Sequence, residues 1–299
     1  MARRRRECAT MQVHEYLSET KATYRRNLVR VERQIERSIR TGEARRLMGR
    51  LITIPVVVHV VYRRAVENVS APRIRSQIAV LNRDFRARNP DRSQVPGAWR
   101  SLVGDAGIRF ALAQKDPHRK ETAGITRTQT ARRSFPADDS VKTAAGGGHP
   151  PWPADRYLNI WVCNLADGLL GYAQFPGGPA RTDGAVILHS AFGKGEGALA
   201  PFDLGRTATH EVGHWLNLRH IWADTMGCGG TDFVADTPNQ AGPNMGRPTW
   251  PSITCGNGPN GDMFMNYMDY VDDAAMFMFT EGQVARMNAC LAGPRQSFL

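Results

Sequence analysis

The 299-residue chain lacks any apolar run long enough to span a bilayer; the longest, residues 52–62, falls short of the roughly 20 residues a crossing helix needs. The arginines near its start have no apolar stretch behind them, so the pattern of a secretory signal is missing and a route of export is not visible. Acidic residues are in deficit: 28 Asp and Glu face 39 Lys and Arg, a net charge of +11. Such a surplus ordinarily points to nucleic acid or an anionic surface. It is local, however. Residues 1–50 carry 14 Lys and Arg against 6 Asp and Glu, a balance of +8 that leaves +3 for residues 51–299. A nearly balanced body argues against a nucleic-acid partner. The apolar fraction, 41%, suffices for one large core with an appendage.

What the chain does have is one dense stretch, HEVGHWLNLRH at residues 210–220, with three of the eight histidines and a glutamate beside the first. Helical residues four apart share a face, so His210 and His214 can aim at one cation. A catalytic zinc takes three protein ligands and keeps a fourth position open, which makes His220 the candidate third ligand. On a continuing helix His220 would lie about 280° around the axis from His210, at roughly 100° per residue, and about 15 Å further along it, at roughly 1.5 Å per residue. The helix is therefore expected to stop between His214 and His220, at Asn217, a residue type that tolerates the left-handed conformation of a helix end. Glu211 then faces the open position as a general base, taking a proton from water that the metal has acidified and passing it to a leaving amine. The implied chemistry is peptide-bond hydrolysis. A chance HExxH or a structural zinc site are the alternatives; closed structural sites favour four ligands with cysteines among them.

Residues 1–50 read as a basic helical arm with Leu28, Val31, Ile35 and Ile39 at helical spacing, a stripe so narrow that it would dock on something rather than fold alone. Cys8 lies among arginines, which lower a thiol pKa, and a thiolate binds zinc; equally, it is an unremarkable thiol in a basic arm. Residues 52–63 read as a buried strand, 72–88 as a helix with Pro72 in its first turn, and 108–113 as a second strand. Residues 114–157 read as irregular loop, with His118 and His149 exposed in it. Residues 158–165 and 169–175 read as a hairpin around 166–168, followed by a strand at 185–189, where His189 is structural rather than a ligand. Asp203 is expected to cap the zinc helix, and Thr280 with Gln283 to form a capping box for a last helix.

The motif HExxHxxGxxH marks the metzincin metalloproteases. HEVGHWLNLRH, the segment NYMDYVDD at 266–273, and LNIWVCNL, GLLGYAQFPGGP and DGAVILHSAFG within 158–193 together resemble the pappalysin family over most of residues 51–291. One departure is Asn217, where the family has glycine. The resemblance implies an α/β (α+β) metzincin zinc-protease fold: a twisted mixed sheet with the active-site helix, and a smaller loop-rich C-terminal subdomain. It makes residues 1–50 an inhibitory pro-segment and 51–299 the catalytic domain, split into upper (51–217) and lower (218–299) parts.

Met268 is implied as the Met-turn residue beneath the zinc, and Tyr270 as a donor to the tetrahedral intermediate; without the family they read as core and half-buried aromatic. Cys8 is implied as a cysteine switch on zinc in the latent form, with autolytic activation within 42–51. Residues Leu169, Leu170, Gly171, Tyr172 and Ala173 are the candidate edge that binds an extended substrate. The family binds calcium near its Asp-Thr-Pro segment, here Asp236, Thr237 and Pro238. The acidic loop carrying Asp224, Asp232 and Asp236 suits that hard cation, or is simply solvated. Cys228 and Cys255 match a family disulfide, whereas Ala275 replaces a cysteine of a second; Cys163 and Cys290 read as buried thiols. Asp272 and Asp273 either recognise a basic side chain after the cut or serve in capping or calcium binding.

The expectation is a zinc-dependent endopeptidase, cutting before Arg or Lys, with one catalytic zinc and a structural calcium. Its partners would be peptide substrates and its own pro-segment, with no transmembrane segment, in an oxidising, extracellular setting. The alternative is a catalytically weak zinc-fold protein whose basic arm binds nucleic acid or anionic lipid.

Overall fold

Eleven residues rich in β-branched side chains, Ile52–Tyr62, form the central strand β1, around which the rest of the sheet is laid. The computed structural model describes residues 5–47 and 49–299, so Met48, within the expected cleavage stretch 42–51, and Arg3 and Arg4 lie outside the described residues. Two helices precede β1, α1 (Thr10–Thr20) and α2 (Ala22–Arg40). After it come α3 (Ala71–Asp84), β2 (Ile108–Leu112), β3 (Ile125–Gln129), β4 (Leu158–Cys163), β5 (Gly171–Ala173) and β6 (Ala185–Leu188). Helix α4 (Arg206–Trp215) carries the histidine motif, and β7 (Met245–Gly246), β8 (Tyr270–Val271) and α5 (Glu281–Ala292) make the smaller C-terminal subdomain. Among the described residues no helix is long and apolar enough to cross a membrane.

The sheet is mixed and twisted, in the order β2-β1-β4-β6-β5 with β3 also on β1. All its pairings are parallel except β5 on β6. Alternation along β1 sends Ile54, Val56, Val58 and Val60 to one face, where they meet Ile74 and Leu81 of α3, Phe85 just past its end, and Ala208, Val212 and Trp215 of α4. The opposite face, with Val61, Trp161, Tyr172 and Val186, packs on Val13, Leu17 and Tyr24 of the first two helices. Further along α2, Val31 and Ile35 bury against Ala289 and Cys290 of α5. Burying an aliphatic side chain fully contributes about 1.5–3 kcal/mol, so the basic arm is held by its narrow stripe as expected. Ile39, the stripe's last member, is 40% exposed.

Three expectations are corrected. Residues 114–157 contain β3, a half-exposed strand beside the C-terminal half of β1. Residues 158–165 and 169–175 are not a hairpin, because β6 lies between β4 and β5. The helix α3 ends at Asp84, and Ala87 beyond it has φ 45°.

Candidate metal centre and cleft

Helix α4 is buried on every side, so its placement is fixed by packing rather than by an amphipathic face. Its start is Gly205 at φ 81°, and Asp203 does not cap it. Instead Asp273, from beyond β8, accepts the amides of Leu204 at 2.9 Å and Arg206 at 3.1 Å, putting a carboxylate at the helix N-terminus. Its end is the turn expected at Asn217, which has φ 72°. The Leu218 amide donates to Gly213 carbonyl at 3.0 Å and the Asn217 amide to His214 carbonyl at 2.8 Å, the paired bonds of a left-handed helix stop. The chain thus reverses within a few residues and brings His220 back to His210 and His214.

The three Nε2 atoms lie 3.0 to 3.2 Å apart. Each ring is oriented from behind: His210 Nδ1 meets Tyr267 carbonyl at 2.7 Å, His214 Nδ1 meets Leu218 carbonyl at 2.8 Å, and His220 Nδ1 meets the Asp224 carboxylate. These acceptors fix the proton on Nδ1 and leave the Nε2 lone pairs facing one another. Burial, then the neighbouring imidazoles, hold His210 and His214 well below the usual histidine range, so they are neutral. Three converging lone pairs with no proton between them fit one zinc ion, whose nitrogen ligands lie at about 2.0–2.1 Å. Asp224, grouped by sequence with the calcium loop, is therefore the partner of a histidine ligand.

Cys8 completes the set: the ligand atoms of Cys8, His210, His214 and His220 all lie within 4.8 Å of one another, and together they form a zinc-binding site. The arginines around Cys8 do not lower its pKa; burial, followed by the Glu211 carboxylate, pushes the thiol up. Arg6 is turned away and buried, with Nη2 2.6 Å from Asp273 Oδ1, Nη1 3.1 Å from Thr207 Oγ1 and Nε 3.2 Å from Val271 carbonyl. A metal cation is what favours the thiolate here.

Glu211 lies against the N-terminal arm. Its Oε2 accepts from Thr10 Oγ1 at 3.0 Å and from Cys8 Sγ at 3.3 Å, and burial pushes its carboxyl up to about 8 despite those bonds. Gly171 of β5 faces this carboxylate so closely that a Cβ there would stand 2.8 Å from Glu211 Oε1. Gly213 on α4 is needed for the same reason, since a Cβ would meet Met268 Sδ at 2.5 Å. Met268 is wholly buried against Gly213, and the Tyr270 hydroxyl lies 3.2 Å from both the amide and the carbonyl of Cys8.

The expected substrate edge is already occupied. Leu170 amide donates to Glu7 carbonyl at 2.9 Å, Ala9 amide to Gly171 carbonyl at 3.0 Å, and Ala173 amide to Thr10 Oγ1 at 2.8 Å. Cys8 and Gly171 pair as a parallel bridge. Leu169 instead bonds Ala166 in a turn, and Tyr172 points into the core. Thr10 and Arg6 have no sequence signature, because their partners lie between 163 and 267 residues along the chain.

In the acidic loop Asp232 Oδ2 accepts from Thr237 Oγ1 at 2.7 Å, while Asp236 turns to Thr280 Oγ1 and the Gly282 amide at the start of α5. Thr280 and Gln283 form the expected capping box. Cys228 and Cys255 are disulfide-bonded; Cys163 and Cys290 are buried thiols.

The family model Peptidase M43, described as pregnancy-associated plasma protein-A, matches residues 148–292. Among solved structures, a promirolysin mutant of Tannerella forsythia is 46% identical with TM-score 0.89, covering 98% of this chain and 97% of that one. Mature mirolysin of the same organism, in complex with a cleaved peptide, is 52% identical with TM-score 0.82, covering 83% and 95%. The extracellular metalloprotease 1 of Coccidioides posadasii is 43% identical over 139 residues, 44% of this chain and 48% of that protein, so the matched stretch spans about half of that relative.

Proposed function

The chain belongs to the pappalysin family of zinc metalloendopeptidases, and we propose that it is a latent enzyme whose pro-segment, residues 1–50, holds Cys8 on the metal. Once freed, the catalytic domain, 51–299 with upper (51–217) and lower (218–299) parts, cuts before Arg or Lys. One observation carries this reading: residues 7–9 lie along the β5 edge with a thiol among three imidazoles, where an extended peptide would have to lie.

Zinc, when held by His210, His214 and His220, polarises a carbonyl and makes water acidic. The chain supplies the rest. Glu211 takes the proton of the attacking water and returns it to the leaving amine. The Tyr270 hydroxyl, now bonded to Cys8, turns to the developing oxyanion. Leu170, Gly171 and Ala173 bind the substrate backbone that residues 7–10 now mimic.

Asp273 is the residue proposed to read a basic side chain, because it already binds the Arg6 guanidinium in a buried ion pair. Recognition of a cation and helix capping, alternatives in the sequence, are both met by the two oxygens of this one carboxylate. Activation is by cleavage within 42–51. Similarity to an extracellular metalloprotease of Coccidioides and the disulfide favour an extracellular setting. We further propose a structural calcium ion at Asp232 and Thr237, with Asp236 on the same loop. The reading in which a basic arm binds nucleic acid or anionic lipid draws on the exposed Arg25, Arg26, Arg30, Arg33, Arg37 and Arg40, but it leaves the placement of Cys8 and Thr10 against the histidines and Glu211 without a purpose.

The test compares wild type, Cys8→Ser and Glu211→Ala full-length proteins on quenched peptides with Arg or Ala after the bond to be cut. Wild type should process itself and then cut only the Arg peptide. Cys8→Ser should be active at once, and Glu211→Ala should hold zinc but neither process nor cut. Equal latency of Cys8→Ser and wild type would remove the switch, and equal cleavage of the two peptides would remove the role of Asp273.

A further inference from the structure

Arg219, the residue before His220, is a cation of the cleft that lacks a matched anion. Its guanidinium lies over the Phe175 ring at 4.3 Å, and Nη1 reaches only the Met11 sulfur, at 3.3 Å. Its Nε is buried and has no hydrogen-bond partner among the described residues. The two acids whose fields reach it are committed elsewhere, Asp224 to His220 and Glu32 to Arg286. Of the other buried arginines, Arg6 is matched by Asp273, Arg206 by Asp84 and Asp91, Arg286 by Glu32 and Arg295 by Asp183, while Arg73 donates instead to the carbonyls of His189 and Phe192; among the described residues Arg219 has neither a carboxylate nor a carbonyl. An arginine left without a carboxylate beside the zinc ligands has no evident structural duty, and its burial opposes its charge.

What covers Arg219 is the pro-segment, and it does so with neutral groups. Met11, His14 and Tyr24 converge there. His14 is held down to about 4 by burial and then by Arg219 itself, and so carries no charge at neutral pH. When residues 1–50 leave, a guanidinium stacked on Phe175 becomes open to the cleft. Arg6 precedes Cys8 and Met11 follows it, so the Asp273 pocket and Arg219 lie on opposite sides of the metal site along the bound segment.

We propose that Arg219 is a specificity residue that binds an acidic side chain, Asp or Glu, on the substrate side before the bond to be cut. The side assignment rests on the reading that the Asp273 pocket takes the basic residue after the cut. The guanidinium is planar and its free donors suit a carboxylate two at a time, which a lysine could not reproduce. In the latent protein the neutral cover serves a second end: the pro-segment offers Arg219 no carboxylate, so this part of the cleft does not retain it after cleavage.

The experiment uses self-processed wild type, Arg219→Gln and Arg219→Lys on quenched peptides that all carry Arg after the cut. Each of the three preceding positions holds Glu, Gln or Lys in turn. At one position wild type should prefer Glu over Gln by about tenfold in kcat/KM, expressed in KM, with Lys poorer still. Arg219→Gln should lose that preference, with zinc content and melting temperature equal to wild type showing that the fold and metal site are intact, and Arg219→Lys should recover part of it. Equal KM for Glu, Gln and Lys at all three positions, or a preference that survives in Arg219→Gln, overturns the proposal. A parallel series with Ala in place of Arg after the cut reports on the Asp273 pocket alone, so failure there is distinguishable from failure at Arg219.

Discussion

Glu32 of α2 grips Arg286 of α5 with both carboxylate oxygens on Nη2, and the Nε of the same arginine donates to the carbonyl of Asn217 at 2.8 Å. The Asn217 side chain adds a bond to Glu32 at 3.3 Å. The N-terminal arm thus holds the turn that brings His220 to the other histidines, at a place far along it from Cys8. A glycine at 217 would keep the turn and lose this bond.

Removing Glu32 should weaken latency without touching the metal site. Arg286 is 2% exposed and would be left without its carboxylate, whereas Glu32 is 27% exposed and partly screened. Loss of about 1–3 kcal/mol of docking is expected, less than the 3–5 typical of a fully buried pair. Glu32→Ala should therefore process itself several-fold faster than wild type, with the matured enzymes identical in kcat/KM. Unchanged processing kinetics would mean that Cys8 and Arg6 carry latency alone.

Asp224 should matter to metal affinity although it touches no metal. It holds His220 by Nδ1, and removing such a partner typically costs about 10–100-fold in affinity. Asp224→Ala should lose zinc to a chelator at correspondingly lower concentration, measured by competition in the full-length protein. Equal competition curves would show that stacking of His220 on Trp222, at 4.2 Å between ring centres, is enough to place the ring.

Parts of this arrangement could be read from the sequence because they are local. The β1 run, the spacing of His210 and His214, and the stop at Asn217 depend on residues within one or two turns of each other. Strand β3 escaped notice because ITRTQ lies at the half-exposed side of the sheet and shows no apolar run. The expected hairpin failed because neighbours in sequence, β4 and β5, are separated in space by β6, whose pairing with both is set by the whole sheet. Asp203 was a sound choice of cap by residue type, but Asp273 reaches the helix start from another part of the chain. The same holds for Arg6 and Asp273, 267 residues apart, where only the folded chain brings the charges together.

His59 of β1 should make the protein sensitive to acid. It is fully buried, bonded to Thr126 and Asn159 and stacked on His149, which lies partly covered rather than in exposed loop. Burial holds its pKa down to about 3, against the bond that Nε2 makes to Asn159 Oδ1, while an unfolded histidine titrates near 6.5. Between those values the unfolded chain binds one more proton, so this contribution is complete above about pH 6.5 and is lost as pH falls toward 3. The slope is about 1.4 kcal/mol per pH unit. Because the zinc histidines also protonate in acid, the measurement is the difference between wild type and His59→Gln in urea unfolding from pH 7 to 4. That difference should change by about one proton; parallel curves would show that His59 does not bear the burden.

The calcium proposal turns on Asp232. This carboxylate is 5% exposed, accepts from Thr237 Oγ1 and the Val234 amide, and is pushed up to about 6 by burial against those bonds and the field of Arg286. A buried carboxylate in that state is neutral below about 6 and is relieved above it either by a cation or by nothing. Asp236 is already taken up at the start of α5, so an ion here would draw its remaining ligands from Thr237 and loop carbonyls, within the six to eight oxygens calcium requires. At pH 7.5, millimolar calcium should raise the melting temperature of the zinc-loaded protein by several degrees, and Asp232→Asn should remove the increase. If wild type and Asp232→Asn melt alike with and without calcium, the loop is held by its disulfide between Cys228 and Cys255 and by Thr237, and Asp232 is an internal hydrogen-bonding residue.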